Sequence, residues 1–386
     1  MGAKRLKERF SRLLSGDVNR MPEASQATGK PTLYLHIGMP KTATTALQRC
    51  LFENRTDLLA RQHCLYPCHA MGWYQQVPIV KSIVRSVFPK AIFNESIADI
   101  DTAEWLTSLG EQQAASGCRK IIISSEFLWA APAMQTHLKF HGDTDENFTC
   151  IEGVVRKTKE TFSAYDDVKI VVYLRRQDSW LESFFNQQIK IGAVIPAEDA
   201  VMEVKNYLLY AKNLKLWAKY FGQEQVLVRF YEAAAPDIIG DFCRVAGLDA
   251  DALNRPAATG SEAVNPSLSP RAVRIMRAAI ERQLDPELRE RMRIVLTNTS
   301  AVTNTGPNRS RYAVFSRSFH DCVLDQYRQD TEELAALYPG AKQYLDKKDA
   351  EKEHPVERGN GDSHWEEQAE LLIEKLMAEN GGQSGK

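Results

Sequence analysis

A chain of 386 residues with 44% hydrophobic and 26% charged side chains has enough apolar material for one large α/β domain or two small ones. A net charge of -1 excludes a broadly basic nucleic-acid-binding surface. Seven cysteines from Cys50 to Cys322 follow no disulfide framework, which predicts a reducing, cytoplasmic setting.

In chain order, residues 1–30 read as a flexible basic leader. Its start, "MGAKRLKERFSRLL", is amphipathic but lacks the apolar stretch of a signal peptide. Leu6 stands where a myristoylation signal carries Ser or Thr. Residues 4–14 suit a peripheral membrane contact, and no run of the sequence is long enough to span a bilayer.

Apolar, β-branched runs follow at 32–37 (TLYLHI), 120–125 (KIIISS), 168–174 (VKIVVYL) and 225–230 (QVLVRF). Their continuous hydrophobicity predicts strands buried on both faces, as in a parallel sheet. Helical patterns lie between them at 43–54, 178–190 and 203–221, and such alternation implies a doubly wound α/β fold. The segment 61–118 reads as a helical insertion. Residues 265–345 turn helical and Arg-rich, with a helix start at Ser269-Pro270. A charged linker over 346–362 leads to a last helix over 363–380, with Ser363 and Glu366 as a capping box. Trp365, Leu372 and Leu376 share a face of that helix, which predicts packing on the body or on a partner subunit.

The stretch "HIGMPKTATT" carries the chemistry. A buried strand feeding a glycine and then a helix presents backbone N–H groups to an anion. Gly38 permits close approach, Pro40 restricts the turn, and Lys41 supplies a movable positive charge. Thr42, Thr44 and Thr45 add hydroxyls and N–H donors. A triphosphate loop needs G-x-x-x-x-G-K-[ST], whereas here one glycine precedes the lysine by three residues. The cradle therefore fits a group smaller than a β,γ-diphosphate with magnesium. The plainest alternative is a strand-to-helix turn with a solvated lysine.

"HIGMPKTATTALQ" resembles the 5'-phosphosulfate loop of sulfotransferases that use 3'-phosphoadenosine 5'-phosphosulfate (PAPS), closest to the bacterial and carbohydrate-type branch with its G-x-P-K-[ST]-G-T-T pattern. Ala43 departs from it where glycine is usual; alanine is compatible with a first-turn helical position. The resemblance extends over 32–45, 120–126, 168–190 and 225–248. It implies a three-layer P-loop NTPase-like fold, with a central parallel sheet flanked by helices, and donor contacts from Gly38 through Thr45. It also implies an arginine at a strand end, followed eight residues later by a serine, holding the donor's 3'-phosphate. "VVYLRRQDSWLESFF" supplies Arg175 and Ser183, with Arg176 the substitute if the strand register slips by one.

The same resemblance implies sulfuryl transfer to a hydroxyl, of a carbohydrate or glycolipid, with Lys41 stabilising the leaving phosphate and no metal required. Glu126, just past the second strand in "IIISSEFLW", matches the glutamate base of the carbohydrate branch. His36 competes as a base, although its strand position suits a packed support for the loop. Ser124 and Ser125 are candidates for positioning donor or acceptor. A triphosphate-dependent phosphotransferase and a non-catalytic nucleotide- or glycan-binding relative are the alternatives.

Other signals read more plainly. His63, Cys64, Cys68 and His69 lie close together, but the proline and apolar residues among them suit an ordinary loop rather than zinc. The arginines of 271–293 alternate with Glu281, Asp285, Glu287 and Glu290, as on a salt-bridged surface. Arg309 and Arg311 sit in a segment suited to closing over a nucleotide.

Overall fold

The computed structural model describes residues 29–67, 76–89, 91, 93, 97–130, 144–194, 204–255, 267–303 and 315–345. The leader to residue 28, Cys68, His69, Arg309, Arg311, the 346–362 linker and the 363–380 helix lie outside the described residues.

The elements run β1 (Thr32–His36), α1 (Thr44–Glu53), α2 (Arg55–Gln62), β2 (Cys64–Leu65), α3 (Val77–Val87), α4 (Thr102–Ser116) and β3 (Lys120–Ser124). They continue as α5 (Thr144–Thr161), β4 (Val168–Leu174), α6 (Gln177–Lys190), α7 (Tyr210–Phe221) and β5 (Val226–Phe230). After these come α8 (Ile238–Ala246), α9 (Pro270–Glu281), α10 (Pro286–Thr303) and α11 (Arg317–Gln326). Two compact units emerge, one within Met1–Arg175, Asn206–Arg255 and Glu333–Tyr344, the other within Arg176–Lys205, Pro256–Glu332 and Leu345–Lys386.

The first unit holds a five-stranded sheet in the order β2-β3-β1-β4-β5, parallel at every pairing. Its strands are the apolar runs of the sequence, because only residues tolerating burial on both faces can occupy the middle of such a sheet. β1 is central: Leu33 and Leu35 are buried, and its register is locked to Ile121–Ser124 on one side and Val168–Val171 on the other.

One face packs on α1, α2 and α8 through Leu47, Leu51, Leu58, Val171, Tyr173 and Phe242. The other carries α7 against β4 and β5, with α5 packed between α3 and α7. The result is the three-layer α/β arrangement expected of a P-loop-like fold. Tyr173 and Arg229, on neighbouring strands, both donate to Asp241 of α8, at 2.9 Å (Tyr173 Oη) and 2.5 Å (Arg229 Nη2), pinning that helix to the sheet.

Two elements differ from the sequence expectation. The 61–118 segment contributes an edge strand, β2, as well as helices, because Cys64 and Leu65 pair with Lys120 and Ile121. The predicted helix over 203–221 is broken into a turn at Lys205–Tyr207 and α7. There Asn213 donates its side-chain amide to Asn206 O and Leu209 O, both at 2.8 Å, so one side chain bridges the turn to the start of α7.

In the second unit α6 packs on α9 and α11. Ser269 caps α9 through its side chain, as its place before Pro270 predicts. Arg277–Glu281 and Arg293–Glu290 form surface ion pairs on α9 and α10. No helix among the described residues is long and apolar enough to cross a membrane.

Phe242 is wholly buried, its ring centroid 5.5 Å from that of His36. Phe242→Ala should destabilise the protein by about 3–5 kcal/mol, read by urea unfolding, because the cavity lies between α8 and the sheet.

Candidate functional site

Topology brings the predicted residues of the first unit to one edge. The C-terminal ends of β3, β1 and β4 are neighbours, about 5 Å apart. They lead respectively into Ser125-Glu126, the loop Gly38–Thr45, and Arg175. The strand order reverses at β1, the position where open α/β sheets collect ligands.

The loop is built from unusual backbone. Gly38 has φ 40, and a Cβ there would lie 3.0 Å from Thr44 Cγ2 and 3.3 Å from the His36 ring, so a side chain would be both crowded and strained. Lys41 and Ala43 also have positive φ, 69 and 59. Thr42 donates its hydroxyl to Met39 O at 2.5 Å, bracing the turn from within. Helix bonding starts only at Ala46 and Leu47, both donating to Ala43 O. The N–H groups of Thr42, Ala43, Thr44 and Thr45 have no partner among the described residues. No side chain caps α1, and its first turn holds no acid. Successive N–H groups converging in alternating conformations form an anion nest, reinforced by the helix dipole.

Ala43 does not occupy the first-turn position expected of it. It is the N-cap of α1 in the left-handed region, at φ 59 and ψ 24. The turn must reverse there to aim the N–H groups inward, a conformation in which a Cβ is unfavourable by about 1–2 kcal/mol. That is the physical reason for a glycine at this place in the pattern. The backbone nevertheless makes the same turn with alanine.

On the β3 side, Glu126 follows the strand and accepts from Gln48 Nε2 at 2.8 Å. The same amide reaches Ser124 O at 3.4 Å. Burial pushes the Glu126 carboxyl above its ordinary range, and the Gln48 hydrogen bond, its own backbone N–H and the Lys41 charge pull it part of the way back. Lys41 and Glu126 are thus within electrostatic reach of each other. Ser125 Oγ is buried without a hydrogen-bond partner. Ser124 Oγ is instead bonded to His36 Nδ1 at 2.7 Å.

His36 lies between Tyr173 and Phe242. Burial drives its pKa down to about 3, so the ring is neutral at any ordinary pH. It supports the underside of Gly38 and is a poor proton acceptor.

On the β4 side, Arg175 is the first residue past the strand. It donates to Lys41 O at 3.0 Å and lies over the Tyr231 ring at 5.0 Å, while Tyr210 Oη donates to Arg175 O at 2.6 Å. The guanidinium therefore orients the loop lysine's peptide as well as presenting positive charge. Arg176 belongs to the second unit, where it is buried in a bidentate pair with Asp178 at 2.6 and 2.9 Å. It is not the strand-end fork. Ser183 is half-buried on α6 of the second unit.

Gln48, Tyr231 and Tyr210 did not stand out in the sequence. For Gln48 a signal existed: it lies four residues after Thr44 and, like Leu47 and Leu51, is buried, a polar residue on the inner face of a helix. Of the suspected metal cluster, Cys64 is a buried strand residue whose thiol burial pushes up to about 12. His63 ends α2 in the left-handed region. No group of three metal-ligating side chains occurs among the described residues.

No model of a known protein family matches the chain. A stretch of 179 residues, 45% of the chain, is 29% identical to an uncharacterized protein of Archaeoglobus fulgidus. The match spans 46% of that protein, about half its length. Among solved structures, a sulfotransferase from Alicyclobacillus acidocaldarius resembles the chain with a TM-score of 0.44 at 16% identity, over 80% of this chain and 96% of that one.

Two outcomes test this geometry. Ala43→Gly should leave stability unchanged or raise it by up to about 1 kcal/mol, whereas Ala46→Gly, inside α1, should lower it by about 1 kcal/mol in the same thermal melts. Glu126→Gln should stabilise the protein at neutral pH. A carboxyl whose folded pKa is raised loses stability as pH climbs through that pKa, so the variant's advantage should shrink towards acid pH.

Proposed function

We propose that the chain is a sulfotransferase that moves the sulfuryl group of PAPS to a hydroxyl, that of a carbohydrate or glycolipid. The observation that carries this reading is one continuous arrangement. Four N–H groups, Thr42 to Thr45, lack partners among the described residues within a short single-glycine loop, and the charge of Lys41 is felt at the half-buried Glu126.

The loop's N–H groups and hydroxyls would hold the 5'-phosphosulfate. The acceptor oxygen attacks sulfur in line while the bond from sulfur to the bridging phosphate oxygen breaks. The acceptor's proton passes to Glu126, whose raised pKa suits a base working near neutrality. Negative charge develops on the departing phosphate, where the Lys41 ammonium and the helix N-terminus oppose it. Arg175 supplies a guanidinium for the 3'-phosphate. The scheme calls for no metal.

The loop's size argues against triphosphate chemistry, since one glycine precedes Lys41 and the N–H groups serve a single anionic group. Alanine in place of the pattern's glycine gives no ground for a non-catalytic relative, because Ala43 itself adopts the left-handed turn.

In calorimetry, adenosine 3',5'-bisphosphate should bind in preference to ATP, and Arg175→Ala should weaken it about 10- to 100-fold. Preference for ATP, with no effect of Arg175→Ala, would sink the proposal. With PAPS and a panel of p-nitrophenyl glycosides read by mass spectrometry, Lys41→Ala should lower kcat about 10²–10³-fold and Glu126→Gln about 10²–10⁴-fold.

A further inference from the structure

We infer that Gln48 is a positioning residue that holds the Glu126 carboxylate in its working orientation through a hydrogen bond from its side-chain amide. The inference rests on the reading of Glu126 as the base. Gln48 is wholly buried on α1, one turn beyond Thr44 of the anion loop. Its Nε2 donates to Glu126 Oε2 at 2.8 Å and approaches Ser124 O at 3.4 Å, so one amide spans the end of β3. Both partners are acceptors, which fixes the amide's orientation: reversing it would set Oε1 against a carboxylate oxygen. Gln48 Oε1 is buried and has no hydrogen-bond partner among the described residues. Burying an unpaired amide oxygen is unfavourable, and the arrangement keeps it in order to point the donor at Glu126.

A carboxylate on a short post-strand turn has rotational freedom that a base cannot use, because proton transfer needs a fixed approach to the acceptor hydroxyl. The same rigid helix that begins at the anion loop also carries Gln48. Donor anion and base are therefore referred to one element, a four-residue spacing from Thr44 to Gln48 setting their relation.

Among the described residues, Lys41 from the loop and Tyr207 from the turn at Lys205–Tyr207 are titratable groups that interact with Glu126. Tyr207 is buried, its phenol held far above its ordinary range by burial and then by the Glu126 charge, so it stays neutral. Lys41 and Gln48 both favour the carboxylate form. Removing Gln48's donor must therefore move Glu126 to a higher pKa, the direction in which a base loses its active form.

The test compares wild type, Gln48→Met and Glu126→Gln in the full-length protein labelled with ¹³C-glutamate. Methionine keeps the length and removes the donor. The Glu126 titration is read by infrared difference spectra, with Glu126→Gln as the blank. In Gln48→Met the midpoint should move to higher pH, and binding of adenosine 3',5'-bisphosphate should stay at the wild-type level. The acid limb of kcat/KM for sulfate transfer from PAPS should move with the midpoint, and kcat near neutrality should fall about 10²-fold. An unmoved midpoint, or a loss of bisphosphate binding, would overturn the inference, the latter by making Gln48 a packing residue of the loop. A wild-type transfer rate in Glu126→Gln would instead overturn the reading of Glu126 as the base, and the positioning role with it.

Discussion

Everything in the candidate site depends on backbone N–H groups that have no partner among the described residues. Thr42 to Thr45 carry four of them in succession, and no cap or first-turn acid of α1 quenches them. Such groups are tolerable only where water or an anion can reach them. β1 makes this possible. Being central and paired on both sides, it delivers the chain to the sheet's edge in a fixed direction, and Ile37 is still tied to Val171 O at 3.0 Å. Directly beyond it, the backbone reverses through positive φ at Gly38, Lys41 and Ala43. His36, neutral and wedged between Tyr173 and Phe242, forms the floor under that reversal.

The site also shows where binding and stability conflict. A left-handed alanine, a carboxyl pushed up by burial, an unpartnered serine hydroxyl and an unpartnered amide oxygen all lie within the β3–β1 edge. None of these lowers the free energy of the folded chain by itself. The core beneath them, built from Leu47, Leu51, Tyr173 and Phe242 against the sheet, supplies the offsetting apolar burial. Unfavourable features concentrated at one edge over an ordinary core mark a surface shaped for a ligand.

The fold was legible because its strands are hydrophobic runs without alternation, and β4 appears with the bounds Val168–Leu174 that its sequence pattern predicts. β2 was not, because two residues carry no period; it exists only through pairing with β3. Within the site, Gly38, Lys41 and Arg175 were readable from residue type and order. The conformation of Ala43 was not, since helix propensity describes the residue in a helix and says nothing of a cap that must turn left-handed. Gln48 was hidden for another reason: its meaning lies in a contact with Glu126, 78 residues away.

Arg175 and Arg176 show how far two identical neighbours diverge once charge is accounted for. Arg176 is buried, and a buried guanidinium needs a matched anion. Asp178 provides it with two hydrogen bonds, and His320 Nδ1 bonds the same carboxyl at 2.8 Å. Burial alone would raise the Asp178 pKa, but the bonds from His320 and Arg176 hold it well below the usual carboxylate range. Arg176, Asp178 and His320 all belong to the second unit. Arg175, one residue earlier, is half-buried, and its described partners are a carbonyl and an aromatic face. Neither neutralises its charge. A strand-end guanidinium oriented by Lys41 O and Tyr231, with no carboxylate among those partners, keeps its attraction for an anion, whereas its neighbour's is already answered. Sequence order makes the two interchangeable; burial and pairing do not.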